Sequence, residues 1–158
     1  MNTQNDPSQL YKLSDIRRYT EQLWAGMKYD IMARGYRYYK EIAAQFSQAK
    51  SVADYEQIQV DLLYTQHHIP YSPAGLRTSI EHMWGYVSKH VSLEERIQYE
   101  ALLQNGLAAK DDKVYDSALF LPESWLPVVQ WLALMADQYH SSYLQHTFKN
   151  SFFGRTSR

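Results

Sequence analysis

The chain has 158 residues, a formal net charge of -1, 45% hydrophobic residues and no cysteine. This length fits one domain, and the hydrophobic fraction is large enough for a core, which excludes a wholly disordered chain. The lack of cysteine excludes disulfides, a thiol nucleophile and cysteine-held zinc or iron–sulfur centres. The net charge excludes a strongly basic binder. Residues 1–50 nevertheless hold eight Lys and Arg against five Asp and Glu, so a local basic patch is compatible with the average.

Helical periodicity dominates the chain, and no β-hairpin pattern interrupts it. The predicted helical segments, in chain order, are 14–46, 52–67, 76–91, 92–104, 125–140 and 143–148. Ser51 and Ser92 are predicted N-caps, Ser92 with Glu95 in a capping box, and Gly26 and Gly35 mark places where the first helix bends or breaks. We predict an all-α fold of five to seven helices in a single domain over 14–153. Residues 1–13 and 154–158 are predicted to be flexible.

The first helical segment places a lysine among apolar residues. On one continuous helix, a single face would carry Trp24, Ile31, Met32, Tyr39, Ile42 and Phe46. Lys28 falls in the middle of this face beside Tyr39, so it must be paired, extend to solvent or line an open pocket. An ion-pair network with Arg17 and Glu21, and a ligand pocket, both stay open.

The opposite face of this segment carries Arg34, Arg37 and Lys40 at i, i+3 and i+6, with Tyr36 nearby. Two interpretations stay open for this stripe. It is either a solvated surface or a set of phosphate contacts with an exposed ring for base stacking.

The third segment separates into two faces. Its buried stripe is predicted to consist of Leu76, Ile80, Met83, Trp84, Val87 and Val91. The other side carries Thr78, His82, Gly85, Tyr86 and Lys89. Because His82 and Tyr86 are i, i+4 neighbours, and a mid-helix glycine leaves a notch beside them, this face is either a pocket or a close contact with another helix.

No cofactor, metal site or membrane segment is predicted. The adjacent His67 and His68 have no carboxylate at i±3 or i±4, and His82 and His90 would lie about 12 Å apart along one helix. The sequence contains no HExxH, Walker A, GxGxxG or GxSxG motif. The N-terminus lacks an apolar signal region, and the most apolar stretch, 125–135, is shorter than a membrane span. We expect a cytoplasmic protein.

Several segments together resemble the YbgA-like domain family over roughly residues 20–150. They are Lys28-Tyr29-Asp30-Ile31-Met32-Ala33, Tyr39-Lys40-Glu41-Ile42-Ala43, Ile80-Glu81-His82-Met83-Trp84-Gly85-Tyr86, Ser92-Leu93-Glu94-Glu95 and Tyr143-Leu144-Gln145. The chain departs from the family pattern at three positions. Met27 and Arg34 stand where the family usually has histidine, and Thr78 stands where it usually has asparagine.

The resemblance implies an all-helical domain that occurs alone or fused to an iron–sulfur thiouracil desulfidase acting on thiolated tRNA uridine, with the helical part binding RNA. By position, the family motif covers Lys28, Tyr39, His82, Gly85 and Tyr86. We therefore expect a non-catalytic tRNA-binding module that assists a desulfidase or another tRNA-modifying enzyme.

In this hypothesis the phosphate-contacting and stacking residues are Arg34, Tyr36, Arg37, Lys40 and Lys89. The pocket residues are Lys28, Tyr39, Thr78, His82, Gly85 and Tyr86. Two alternatives stay open. One is a small enzyme acting on a nucleobase or nucleotide through Lys28, His82 and Tyr86, and the other is a protein-interaction or oligomerisation module. The sequence does not determine the oligomeric state.

Overall fold

The computed structural model describes residues 7–108 and 115–155, and the side chains from residue 12 onward. Over these residues it is an all-helical bundle without strands, which confirms the predicted fold class. The α-helices are α1 (Pro7–Arg34), α2 (Tyr36–Gln48), α3 (Val52–His68), α4 (Pro73–Trp84), α5 (Leu93–Leu107), α6 (Leu126–Gln138) and α7 (Ser142–Asn150), with a 3-10 turn at Glu123–Trp125 before α6.

Helix α1 is the central element, since α2, α3, α4 and α7 all pack against it. One side of α1 contributes Met32 to a large core shared with α4, α6 and α7. The other side contributes Met27 and Ile31 to a smaller core shared with α2 and α3. Every residue of α1 from 26 to 34 is buried except Lys28, which is half-buried, so the polar side chains of this stretch lie inside the bundle or at its rim.

The first predicted helix is in fact two helices separated by a single residue, Gly35. After this break α2 folds back along α1, so that Trp24 stacks on Tyr39 at 5.4 Å and lies 5.9 Å from Phe46. The prediction that Arg34, Arg37 and Lys40 form one stripe is therefore wrong, because helical phase does not carry across the break.

Two glycines permit close helix contacts. A Cβ on Gly26 would lie 2.9 Å from His146 Nε2 of α7, so Gly26 allows tight packing rather than a bend. A Cβ on Gly75 would lie 2.5 Å from the carbonyl oxygen of Ala33. The start of α4 is thus pressed against the last turn of α1, which brings the two ends together.

The predicted helix ends are partly confirmed. Capping boxes form at Ser51 and Ser92, as the Ser-x-x-Asp and Ser-x-x-Glu spacing favours. Helix α5 continues through Gly106 to Leu107, because this glycine packs against the Trp125 ring. Helix α4 ends at Trp84, and residues 85–90 form turns instead of the predicted helical extension to 91.

The structure also differs from the prediction at both ends of the chain. Residues 7–13 belong to α1, so the helix begins before residue 14, where the first helical segment is predicted to start. Near the C-terminus, Arg155 lies over the Phe152 ring at 3.7 Å, and its carbonyl accepts a hydrogen bond from the Leu121 N–H. The rest of both predicted flexible segments, 1–6 and 156–158, lies outside the described residues, as do residues 109–114.

Candidate functional site

Four side chains from three distant segments meet at one end of α1. Lys28 and Tyr29 lie in α1, Tyr86 lies in the turns after α4, and Tyr143 lies in α7. The Lys28 ammonium lies 5.4 Å from the centroid of the Tyr29 ring and 5.0 Å from that of Tyr143. We call this group of four residues the Lys28 site. Its cation contacts two aromatic rings, and such contacts stabilise the charge.

The tyrosines of the site are held in a fixed arrangement. Tyr86 and Tyr143 stack almost in parallel, with centroids 5.1 Å apart and an interplanar angle of 6°. Tyr29 meets both rings edge-on, at 6.1 and 6.2 Å. The hydroxyls of Tyr29 and Tyr86 are hydrogen-bonded at 3.1 Å. These contacts connect α1, α7 and the turn after α4, so the site depends on the tertiary fold.

Lys28 carries its charge at neutral pH. Partial burial acts to lower the pKa of the ammonium, but a hydrogen bond and Coulombic attraction from Tyr143, with smaller contributions from Tyr86 and Tyr39, outweigh it. The pKa of Lys28 therefore lies above its ordinary value of 10.5. No carboxylate of the described residues forms an ion pair with Lys28. Arg17 and Glu21 form an exposed pair with each other. The predicted ion-pair network does not include Lys28.

Tyr29 is held as a neutral phenol. Burial is the largest cause of the rise in its pKa above the ordinary value of 10.0, and the hydrogen bond between its hydroxyl and that of Tyr86 adds to it. Since the charged form is disfavoured in this setting, Tyr29 offers a hydroxyl for hydrogen bonding rather than a base for proton abstraction.

His82 reaches the same cluster from α4, with its ring 6.3 Å from that of Tyr29. Lys28 and His82 therefore both lie against Tyr29. Thr78, one turn before His82, is half-buried. Gly85 caps the end of α4 and is exposed, and a Cβ there would contact only the His82 carbonyl, at 3.2 Å. The predicted mid-helix notch at Gly85 is therefore wrong.

A second aromatic group extends from the Lys28 site along α2. Tyr39 stacks on Trp24 at 5.4 Å on one side and on Tyr36 at 5.5 Å on the other. Tyr36 is the outermost ring of this stack and is 47% exposed. Since Tyr39 also contributes to the electrostatic environment of Lys28, the two groups are neighbours.

Three of the four predicted phosphate-contacting cations are at the surface. Lys40 and Lys89 are exposed, Lys89 in the turns just after Tyr86. Arg37 is also exposed, and its guanidinium lies 4.7 Å from the Tyr38 ring and donates a hydrogen bond to the Tyr38 hydroxyl. These side chains are available to an anionic partner.

Arg34 is not available to an anionic partner, and its assignment to the phosphate-contacting set is wrong. It is 2% exposed and donates hydrogen bonds to the carbonyls of Ile69 at 2.6 Å and Ala118 at 2.8 Å. It also forms an ion pair with Asp30, whose side chain is fully buried. Arg34 therefore ties α1 to two loops from inside the protein.

Asp30 is the acceptor at the centre of this buried network. It accepts hydrogen bonds from the side chains of Arg34, Gln66 and Tyr71 and from the Phe152 N–H. The network holds the segment after α7 against α1, and α7 carries Tyr143. The buried ion pair thus supports the Lys28 site from the next turn of α1.

The sequence did not identify Tyr29 and Tyr143 as site residues. Both stand in the segments that carry the family resemblance, which was the available signal. A groove of about 620 Å³ between α6 and α7 was also not predicted. Its lining is Ala133, Asp137, Ser142, Gln145, His146, Phe148 and Lys149. Because this lining mixes both charges with apolar groups, it does not indicate one ligand.

Across residues 7–108 and 115–155, no three His, Asp or Glu side chains come together in a way that could hold a metal ion. Among the helices of these same residues, none has the length and apolar character needed to cross a membrane. Comparisons with protein-family models, with curated proteins and with solved structures find no match to this chain. The functional assignment therefore depends on the geometry of the Lys28 site and its surroundings.

Proposed function

We propose that this protein is a non-catalytic RNA-binding module whose ligand is single-stranded RNA, with a tRNA loop or end as the favoured target. The observation that carries the proposal is the Lys28 ammonium, which is charged, in contact with two tyrosine rings and unpaired with any carboxylate of the described residues. A cation in this state suits a phosphate, and the rings around it suit bases.

The surrounding surface supplies the other parts of such an interface. Tyr36 and Tyr86 are 47% and 38% exposed, and each already has one stacked neighbour that fixes its ring. Fixed and exposed rings favour base stacking, worth about 1–3 kcal/mol per base. Arg37, Lys40 and Lys89 would contact phosphates. Sequence-tolerant stacking combined with phosphate contacts is typical of proteins that bind single strands.

An enzymatic role for the Lys28 site is the less favoured alternative. Lys28 and Tyr29 both have raised pKa values, so near neutral pH neither is in the deprotonated form that a base or nucleophile requires. The chain contains no cysteine for iron–sulfur desulfidation. Assistance to a separate desulfidase or tRNA-modifying enzyme, and a cytoplasmic location, are parts of the proposal that rest on the sequence and on the resemblance to YbgA-like domains.

A titration of labelled total tRNA at two or more salt concentrations, followed by fluorescence anisotropy, tests the proposal. We expect affinity to fall as salt rises, because each phosphate contact on a single strand contributes roughly 0.7 to the slope of log K against log salt. The Arg37→Ala/Lys40→Ala variant should reduce that slope by about 1.4.

The matched control is Lys12→Ala/Lys50→Ala, which removes the same charge from exposed positions away from the site. Lys50 follows the end of α2 opposite Tyr36, and Lys12 lies four turns of α1 before Lys28. Equal loss in both double variants would contradict the assigned interface. No binding at tens of micromolar protein in low salt would contradict the function.

A further inference from the structure

We propose that this protein forms a two-fold symmetric dimer through the outward face of α3, with the two copies of that helix antiparallel. The inference goes beyond RNA binding and uses no residue of the Lys28 site, which is built from α1, α7 and the turns after α4. It starts from three large apolar side chains of α3, Val60, Leu63 and Tyr64, whose exposed fractions are 58%, 47% and 58%. A contiguous apolar surface of this kind gains free energy when a second apolar face covers it.

The exposed apolar residues belong to a longer stripe along the outward side of α3. Glu56, Val60, Leu63 and His67 are spaced at i, i+4, i+7 and i+11, which keeps them on one side of an α-helix. All four are exposed, so no helix of the described residues covers this side of α3. The opposite side of α3 packs into the smaller core through Tyr55, Ile58 and Leu62. The outward stripe has the spacing by which one helix pairs with another.

A second copy of the same stripe fits it in one antiparallel register. When Val60 of one copy lies beside Leu63 of the other, the two-fold axis repeats the contact, because such an interface pairs residue i with j and j with i. Glu56 stands four residues before Val60, and His67 stands four residues after Leu63. The register that pairs the apolar residues therefore also places each Glu56 level with His67 of the second copy.

The charges of α3 favour an antiparallel pair over a parallel one. The helix contains the carboxylates Asp54, Glu56 and Asp61 and no Lys or Arg, and its two histidines stand at its C-terminal end. A parallel pair would bring the Glu56 carboxylates of both copies together, where they repel each other. The antiparallel pair places each Glu56 beside His67, whose protonated ring donates a charge-assisted hydrogen bond to a carboxylate.

The rings of this surface are already held in place. Tyr64 lies against His68 with ring centroids 4.5 Å apart. His67 donates from Nδ1 to the Leu63 carbonyl at 2.8 Å and meets the Phe152 ring edge-on at 5.3 Å. Because these contacts restrict the side chains before association, the dimer loses less conformational entropy when it forms.

Sedimentation velocity of the wild-type protein and two variants tests the dimer. The stripe from residue 56 to residue 67 is about 17 Å long, so its interface is smaller than the standard size, and we expect a dimer that dissociates reversibly in the micromolar range. From about 1 to 300 μM the wild-type mass should rise from monomer to dimer. Val60→Asp should weaken the dimer about tenfold or more, because it buries an unpaired carboxylate. The matched control, Ile97→Asp, places the same charge at an equally exposed apolar position of α5 and should dimerise like the wild type.

A charge swap tests the register. Glu56→Lys should weaken the dimer about two- to fivefold, and Glu56→Lys/His67→Glu should restore it, because the exchange re-forms the opposite charges. Circular dichroism of each variant checks that it is folded. A wild-type protein that stays monomeric throughout overturns the inference, and so does a dimer that Val60→Asp leaves intact or that Ile97→Asp disrupts equally. An unchanged dimer in Glu56→Lys, or no recovery in the double variant, overturns the antiparallel register.

Discussion

The hydroxyl of Tyr29 lies 3.1 Å from the hydroxyl of Tyr86, which joins the central helix α1 to the turns after α4. This hydrogen bond fixes Tyr86 where its ring stacks on Tyr143 of α7. The site is therefore built from three parts of the chain, and its geometry depends on the packing of α4 and α7 against α1. A change that loosens this packing should affect ligand binding as well as stability.

The buried Arg34–Asp30 pair makes a prediction about stability. We expect Arg34→Met to lower the free energy of unfolding by about 3–5 kcal/mol, because it leaves the Asp30 carboxylate buried without its cation. Urea denaturation measures the change. The control Arg37→Met removes an exposed cation three residues later and should stay within about 0.5 kcal/mol of wild type. Similar stability of the two variants would refute the structural role of Arg34.

Tyr99 and Tyr71 should respond in opposite ways to loss of their hydroxyls. The Tyr99 hydroxyl is buried and finds no hydrogen-bond partner among the described residues. Tyr99→Phe should therefore raise the free energy of unfolding, by about 1 kcal/mol, since an unsatisfied buried polar group is removed. The Tyr71 hydroxyl donates to Asp30, so Tyr71→Phe should lower it by about 1–3 kcal/mol. Thermal or urea unfolding of the two variants tests both predictions. A loss of stability in Tyr99→Phe would contradict the buried position of the Tyr99 hydroxyl without a hydrogen-bond partner.

Gly75 should not tolerate a side chain. Its missing Cβ would lie 2.5 Å from the Ala33 carbonyl oxygen, a backbone atom that cannot move aside cheaply. We expect Gly75→Ala to cost about 1–3 kcal/mol of stability through overpacking. Gly154→Ala is the control, since nothing lies within 4 Å of the corresponding Cβ. Equal melting temperatures for the two variants would show that α4 does not press on α1 here.

The buried tyrosines predict a loss of stability at alkaline pH. Burial raises the pKa of Tyr99 to about 12, and it also raises those of Tyr29 and Tyr71 above the ordinary value of 10.0. A raised pKa in the folded state gives stability that is complete below the unfolded pKa and is lost as the pH rises above it. We therefore expect the free energy of unfolding to decrease above pH 10. Ultraviolet titration should show these phenols ionising later than exposed ones, and a flat stability profile up to pH 12 would contradict the prediction.

The sequence predicted the features that depend on residues close together in the chain. Capping boxes at Ser51 and Ser92 depend on residues three positions apart, and the apolar periodicity of the later segments is nearly continuous. Both could therefore be recognised without knowledge of the tertiary fold. Lys28 was singled out because a lysine on an apolar face requires an explanation, and the structure places it at the rim of the bundle among tyrosines.

The wrong predictions concern residues whose surroundings are set by the tertiary structure. Helical phase assigned Arg34 to the same face as Lys40, but the one-residue break at Gly35 changes the direction of the chain between them. The partners that bury Arg34 include the carbonyls of Ile69 and Ala118, which no local pattern identifies. Tyr143 joins the site for a similar reason, since it comes from α7 at the other end of the chain.

The central claim is that the unpaired Lys28 ammonium binds the phosphate of an RNA ligand. The most direct measurement is the affinity for labelled tRNA, at one fixed low salt concentration, of the wild type, Lys28→Met, Lys28→Arg and Lys50→Met. The account predicts about tenfold weaker binding for Lys28→Met, retained affinity for Lys28→Arg and wild-type affinity for Lys50→Met. Wild-type affinity in a folded Lys28→Met protein would contradict it.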